Sequence, residues 1–393
     1  MIKNVLRLLS GNALGQVIQM GSLFFLAALY TSSDFGHFGN IQAMTTIAVV
    51  IFTLQLQHTI PISEKNEEAF LKARMVIQIV FGAFLMFFFV GLFTSSQIIY
   101  ISIYALILAL PTVFNNLLIS LSKFAILSHT YIVRAVLIVL CQFTFYYFNI
   151  YNGLLFATIF GEMLTLVYIL SLNRFWSLLV IKISFEDIKA MILEWKSFAF
   201  YGTIQECLSV MVYSLPVILY VNKFGESIGG QFSMAYKVTF APIILVSSSL
   251  AQVLTNKFGR ENDYSIIKNV IWFDKRILLA VVTVLVVVFT ISKSEIIFMG
   301  GKWDITIQLI PYLLLNGFFF LLAMPFRLAL RVLKRNVDIL KIEIATVATL
   351  GLMFYFLRLD VISFTIIMCV IALLQNMGLV YSFFMYNKIK NTI

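Results

Sequence analysis

Apolar residues arrive along this chain in blocks of roughly 18 to 22, broken by short polar or charged interruptions, from one end to the other. At 1.5 Å of rise per residue, such a block matches about 30 Å of hydrocarbon. Runs such as Val281 to Thr290 do not alternate apolar with polar residues, which argues against the strands of an outer-membrane barrel. The blocks predict twelve spans, over residues 12–30, 39–57, 75–94, 98–119, 131–149 and 153–172, then 199–221, 232–254, 276–294, 304–326, 337–357 and 360–381. The expected fold is an all-α polytopic membrane protein with twelve transmembrane helices in two six-helix lobes. The N-terminal lobe covers 1–172, a cytoplasmic amphipathic linker covers 173–197, and the C-terminal lobe covers 198–393. The linker mixes Arg174, Lys182, Glu186, Asp187 and Lys189 with Trp176, Phe185 and Trp195, the pattern of a segment lying in the membrane interface.

Composition agrees with this class. Of 393 residues 61% are hydrophobic and 12% charged, and the mean hydropathy is +0.98, too little charge to cover a soluble domain. The net charge of +10 does not point to nucleic acid, because the basic residues are scattered through short loops. They follow the positive-inside rule instead. With the N-terminus inside, Lys223, Lys293, Lys302 and Arg358 fall in outer loops and Lys237 within a span. All other lysines and arginines fall on inner segments, including Lys123 with Arg134, and Arg327, Arg331, Lys334 and Arg335. A one-span error would scramble this asymmetry, so both termini are expected in the cytoplasm. Cys141, Cys207 and Cys369 lie far apart in apolar spans and suit neither a disulfide framework nor a zinc site. The first apolar run follows Lys3 and Arg7 without a small-residue cleavage site and reads as a span, not a signal peptide.

The halves share landmarks. Tyr30-Thr-Ser-Ser-Asp-Phe-Gly36 after span one is echoed by Tyr220-Val-Asn-Lys-Phe-Gly225 after span seven. Ser96-Gln-Ile-Ile-Tyr-Ile101 is echoed by Ser294-Glu-Ile-Ile-Phe-Met299, and Pro111 and Asn116 by Pro311 and Asn316. Matches in the same order with slowly growing offsets indicate a duplicated six-span unit, an arrangement known among transporter folds.

Several stretches resemble one family. Leu8-Leu-Ser-Gly-Asn-Ala-Leu-Gly-Gln16 leads into a span ending Leu29-Tyr30, followed by Asp34-Phe35-Gly36. The turn Phe298-Met-Gly300-Gly-Lys302-Trp303, span eight from Ala235-Tyr-Lys237 through Pro242 to Ala251-Gln252-Val253, and the inner loop from Pro61 with Glu64, Lys65, Glu67 and Glu68 complete the likeness. The chain thereby resembles Wzx-type O-antigen repeat-unit flippases and related polysaccharide exporters of the MATE-like, or MOP, superfamily. The resemblance implies an undecaprenyl-diphosphate-linked oligosaccharide moved from the cytoplasmic to the periplasmic leaflet of a bacterial inner membrane. It also implies the lipid bilayer as partner, with a polysaccharide polymerase and a chain-length regulator as further candidates.

A lipid diphosphate sugar needs a wet, partly cationic cavity, and charged residues within spans are candidates for lining it. Lys237, about 8 Å into span eight by helical rise, is placed to attract a diphosphate or acidic sugar; the alternative is a lysine snorkelling to the outer interface. Arg327, with Arg331, Lys334 and Arg335 beyond it, is placed for an inner vestibule, and simple positive-inside anchoring competes with that role. Glu162, near the midplane with Thr158 and Thr165 on its face, and Glu206, beside Gln205 and Ser209, are the candidates for coupling to a proton or sodium gradient. A protonated glutamate hydrogen-bonded between helices is the competing account of Glu162. Asn12, Gln16 and Gln19 give span one an amide face, and Asn115, Asn116 and Ser120 do so in span four. Amides suit sugar hydroxyls and equally bridge helices. Pro111, Pro216, Pro242, Pro311 and Pro325 supply bends or packing.

No P-loop, GxGxxG or HExxH is present, so no catalytic site and no cofactor or metal is expected. Two other functions compete: a MATE-like drug or cation exporter, and a membrane-embedded polysaccharide polymerase or acyltransferase. The polymerase would carry a long outer loop, which the span pattern does not provide.

Overall fold

Backbone amides in hydrocarbon must be satisfied within their own segment, so helices are what apolar blocks of this length form. The computed structural model describes residues 2–173, 175–180, 183–261, 286, 290, 301–333 and 335–392, and among these there is no strand. The helices are α1 (Ile2–Leu29), α2 (Ser32–Thr53), α3 (Asn66–Thr94), α4 (Ser96–Ser120), α5 (Phe124–Tyr147), α6 (Gly153–Asn173), α7 (Trp176–Val180), α8 (Phe185–Glu194), α9 (Thr203–Glu261), α10 (Asp304–Val332), α11 (Asn336–Phe356) and α12 (Val361–Thr392). Ten described stretches are long and apolar enough to cross a membrane. One of them, Ser197–Ile244, has 48 residues, which is twice what a bilayer requires. The predicted ninth span, over 276–294, and most of the predicted outer turn 298–303 lie outside the described residues, as does the 294–299 repeat segment.

The 48-residue stretch turns back on itself. Gly225 has φ 85° and ψ 168°, a conformation L side chains rarely adopt. Across this break the Tyr220 and Phe232 rings stack with centroids 3.9 Å apart, and a Cβ built on Gly229 would lie 2.9 Å from the Val221 Cα. Residues eight and twelve positions apart meet only if the chain reverses, so α9 holds spans seven and eight as a hairpin. Its second arm begins just after Gly225, earlier than the predicted 232.

Span two also starts early, at Ser32 and not at 39. Thr31 accepts from the Asp34 backbone N–H at 3.1 Å while its own N–H donates to the Asp34 carboxylate at 2.8 Å. This capping box satisfies two orphan donors reciprocally. Asp34-Phe35-Gly36, which the sequence pattern places in a turn, is therefore the first helical turn of α2.

The chain forms two compact units, Met1–Ser214 and Leu215–Ile393, dividing within α9. In the first, α5 lies against α1 and α6, and α4 against α2 and α3. Close approach of α5 to its neighbours rests on small residues: a Cβ on Gly15 would lie 2.8 Å from the Tyr131 carbonyl oxygen, and one on Gly161 2.7 Å from the Ile138 Cα. The linker belongs to this unit. Phe175 is buried against Phe114 and Phe70, Ser184 caps α8, and the Lys72 ammonium sits 4.8 Å over the Trp195 ring. The first part of α9 joins it as well, through a 3.0 Å hydrogen bond between the Thr46 and Ser214 hydroxyls. In the second unit α12 packs on α10 and α11 around Phe326, Leu330, Ile339, Leu379 and Phe383. On α12, Ile366, Val370, Leu374, Met377, Tyr381 and Phe384 form an exposed apolar stripe at three- and four-residue spacing. That is the pattern of a helix facing lipid.

Candidate functional site

The first unit holds a ladder of polar contacts between α5 and α6, deep within both helices. Gln142 donates to the Thr158 hydroxyl at 2.9 Å, and its backbone carbonyl accepts the Tyr30 hydroxyl at 2.7 Å. Further along the same interface, Arg134 grips Glu162: Nε lies 2.8 and 3.0 Å from the two carboxylate oxygens and Nη2 lies 2.5 Å from Oε1. Thr158, Glu162 and Thr165 are all buried on the face that the sequence spacing assigns to them. Glu162 is thus neither a lone carboxylate nor one bonded only to threonines; an arginine holds it. The positive-inside pattern counts Arg134 with the inner anchors, whereas the structure places it eleven residues into a 24-residue helix. The signal for it was present, since the predicted span 131–149 already included the residue.

Burial is unequal across this pair. The Glu162 side chain is 2% exposed and that of Arg134 39%. The same asymmetry recurs in the second unit, where Arg327 of α10 pairs with Glu343 of α11 and the side chains are 13% and 1% exposed. Arg327 is therefore tied across a helix pair, with Glu343 as its counter-charge.

Lys237 is half-buried on the second arm of α9, with Tyr236 and Phe240 stacked beside it at 4.3 Å between ring centroids. Because that arm starts at the Gly225 break, Lys237 lies about 18 Å along the helix from it, not the 8 Å its predicted span implied. A lysine stem does not span that distance, which weakens the snorkelling account. The side chains of 251–253, the end of the same motif, lie outside the described residues.

Glu206 is half-buried in the opening part of α9. It lies near His58, which follows span two in the short helix Leu56–Ile62. Burial lowers the His58 pKa from its ordinary value, and the Glu206 carboxylate opposes that shift.

The amide candidates divide. Gln16 donates to Asn12 at 3.4 Å along α1, and Gln19 is exposed one turn on. Asn116 spends its donor on the Thr112 carbonyl of its own helix at 2.9 Å. A cavity of about 380 Å³ between α2, α3 and α4, lined by residues such as Met44, Ile51, Met86 and Phe87, is apolar and offers a headgroup nothing to bond.

Two shared landmarks have matching roles. The Tyr30 hydroxyl sits beside Gly153 at the start of α6, and the Tyr220 hydroxyl bonds Thr365 and the Val361 carbonyl at the start of α12. The tryptophan of the outer turn, Trp303, is buried, and the Gln231 side chain caps the helix after it by accepting from the N–H groups of Ile305 at 2.9 Å and Thr306 at 3.3 Å.

Among solved structures, the chain is similar to an inward-facing multidrug resistance MATE family transporter of the MOP superfamily (TM-score 0.62, 14% identity, 98% of this chain and 95% of the other). It is also similar to a eukaryotic MATE transporter (TM-score 0.60, 14% identity, 95% and 92%). A third is a MOP superfamily transporter from Pyrococcus furiosus, described as having reversed binding-pocket polarity (TM-score 0.55, 14% identity, 96% and 94%). No family model matches the chain, and no curated protein matches it by sequence. At this identity the likeness establishes the fold: MATE-like, all-α and polytopic.

Proposed function

We propose that this protein is a transporter of the MOP type that flips undecaprenyl-diphosphate-linked O-antigen or other polysaccharide repeat units from the cytoplasmic to the periplasmic leaflet by alternating access. The observation that carries this reading is the uneven burial of the Arg134–Glu162 ion pair within the spans. The carboxylate is shut away and the guanidinium is the accessible member, 39% against 2%. A protein built to carry cations would present its carboxylates; this one presents the N–H donor side of an ion pair, which suits an anionic headgroup. Lys237, well inside its helix, adds to the same sign.

A second reading, a MATE-like drug or cation exporter, is favoured by the multidrug transporter among the fold relatives and by the half-buried Glu206. Deleting the gene separates the two. The flippase reading expects lipid-linked saccharide to accumulate on the inner leaflet and surface polysaccharide to fall; the exporter reading expects increased drug sensitivity with polysaccharide unchanged. In the complemented strain, Lys237→Ala is expected to lower surface polysaccharide while the amount of protein in the membrane stays constant. Full polysaccharide in that variant removes Lys237 from the site.

A further inference from the structure

The exposed apolar residues of α5, Val136, Leu140, Phe143 and Tyr147, mark its lipid-facing side. At about 100° per residue, Arg134 points about 180° away from Phe143 and about 200° from Val136. It therefore turns into the unit, where it interacts electrostatically with Tyr104 on α4 and Tyr131 on its own helix. It also lies about 15 Å from the start of α5, near the middle of a 30 Å hydrocarbon layer. A guanidinium at that depth needs a counter-charge, and Glu162 provides one.

The geometry of the pair does more than neutralise. Among the described residues, every hydrogen bond of Arg134 goes to Glu162 and uses Nε and one N–H of Nη2. Three of the five guanidinium donors remain, both on Nη1 and the outer one on Nη2. A pair serving only to cross-link α5 and α6 would be sealed on both sides. Here one side is sealed and the other is 39% exposed, on the face away from lipid.

We propose that Arg134 is an oxyanion-recognition residue inside the N-terminal unit, with Glu162 as its positioning residue. The free Nη1/Nη2 edge is shaped for two oxygens of a phosphoryl group, the bidentate geometry that arginine favours and lysine lacks. Because Glu162 already neutralises the guanidinium, the anion meets a directed dipole and not a full charge. Such a hold is specific in geometry and weak enough to release, which a transport site requires. That the phosphoryl group belongs to the cargo rests on the function proposed above; the site itself does not.

The test titrates inorganic pyrophosphate into the purified full chain in detergent by calorimetry, with unfolding midpoints measured in parallel. Arg134→Gln is expected to weaken binding about tenfold or more, the size of a lost charge-assisted contact. Arg134→Lys, which keeps the charge and loses the fork, is expected to fall between. Glu162→Gln is the decisive variant: it frees the guanidinium charge and is expected to tighten pyrophosphate binding several-fold even as the unfolding midpoint drops. A purely structural pair predicts the drop with unchanged or weaker binding, and that result overturns the proposal. Should Arg134→Gln fail to fold, the opposite shifts of Arg134→Lys and Glu162→Gln still decide.

Undecaprenyl diphosphate and phosphatidylglycerol micelles then identify the source of the phosphoryl group. Arg134-dependent binding of the first supports a cargo site, and of the second alone a bulk-lipid site; dependence in neither overturns the assignment. Pyrophosphate binding that requires Arg134, in a protein whose deletion leaves lipid-linked saccharides unchanged, would sink the flippase reading and leave the anion site standing. Normal flipping with binding insensitive to Arg134 would do the reverse.

Discussion

Arg327 illustrates how a partner changes the meaning of a charge. Four basic residues in a row of turns at a helix end expected on the inner side fit anchoring and headgroup capture equally well, and nothing in their spacing separates the two. The buried Glu343 carboxylate separates them, because it ties Arg327 to α11 and leaves the guanidinium little exposed. Arg327 then acts mainly as a cross-link, and removing one partner strands the other. Glu343→Leu alone is expected to destabilise the protein by about 3–5 kcal/mol, read as a drop in unfolding midpoint in detergent. Arg327→Met combined with Glu343→Leu is expected to recover most of that loss. If the double variant is as unstable as the single one, the pair is not what holds these helices. Glu162 was legible in the sequence as a lone carboxylate inside an apolar run. Its pairing with Arg134 was not, because an arginine three residues inside a predicted span edge looks like one more interfacial anchor.

Helix contacts of this protein depend on where a side chain is missing. Gly161 lets α6 approach the α5 backbone at Ile138, one position from Glu162, so the ion pair and the close contact share one turn. A methyl group there must push the helices apart, and Gly161→Ala is expected to cost about 1–3 kcal/mol of stability. Gly21 on α1 has no atom within 4 Å of an added Cβ. Gly21→Ala is accordingly expected to be neutral or stabilising by up to about 1 kcal/mol, since alanine is the better helix former. Paired thermal unfolding measurements check both, and equal effects would contradict the packing described. Element boundaries moved for local reasons that hydropathy does not register. The Thr31–Asp34 capping box brings α2 forward to Ser32, and the positive φ of Gly225 starts the second arm of α9 before its apolar run becomes dense. The second shift deepens Lys237 and changes its reading.

For the molecule as a whole, the alternation of cations between the two sides predicts an orientation that labelling can test. In a background with Cys141, Cys207 and Cys369 replaced, a cysteine at Ser122, between α4 and α5, is expected to be protected from a membrane-impermeant maleimide added outside. One at Tyr151, between α5 and α6, is expected to react. Reversed labelling would invert the topology, and labelling of both would break the assignment of α5 as a span. The chain divides into units at Ser214 and Leu215, within α9 and not at the linker 173–197, and Tyr30 and Tyr220 each anchor a helix within their own unit. The class of the protein and all of its described crossings were readable in one dimension, because transfer into hydrocarbon is a sum over neighbouring residues and needs no knowledge of the fold. Which helix faces meet was not so readable, since that depends on the rotation and approach of helices far apart in the chain. Arg134 finds Glu162, Arg327 finds Glu343 and Gln231 finds the start of α10 only once packing has set those rotations, and with them which charges are hidden and which stay accessible.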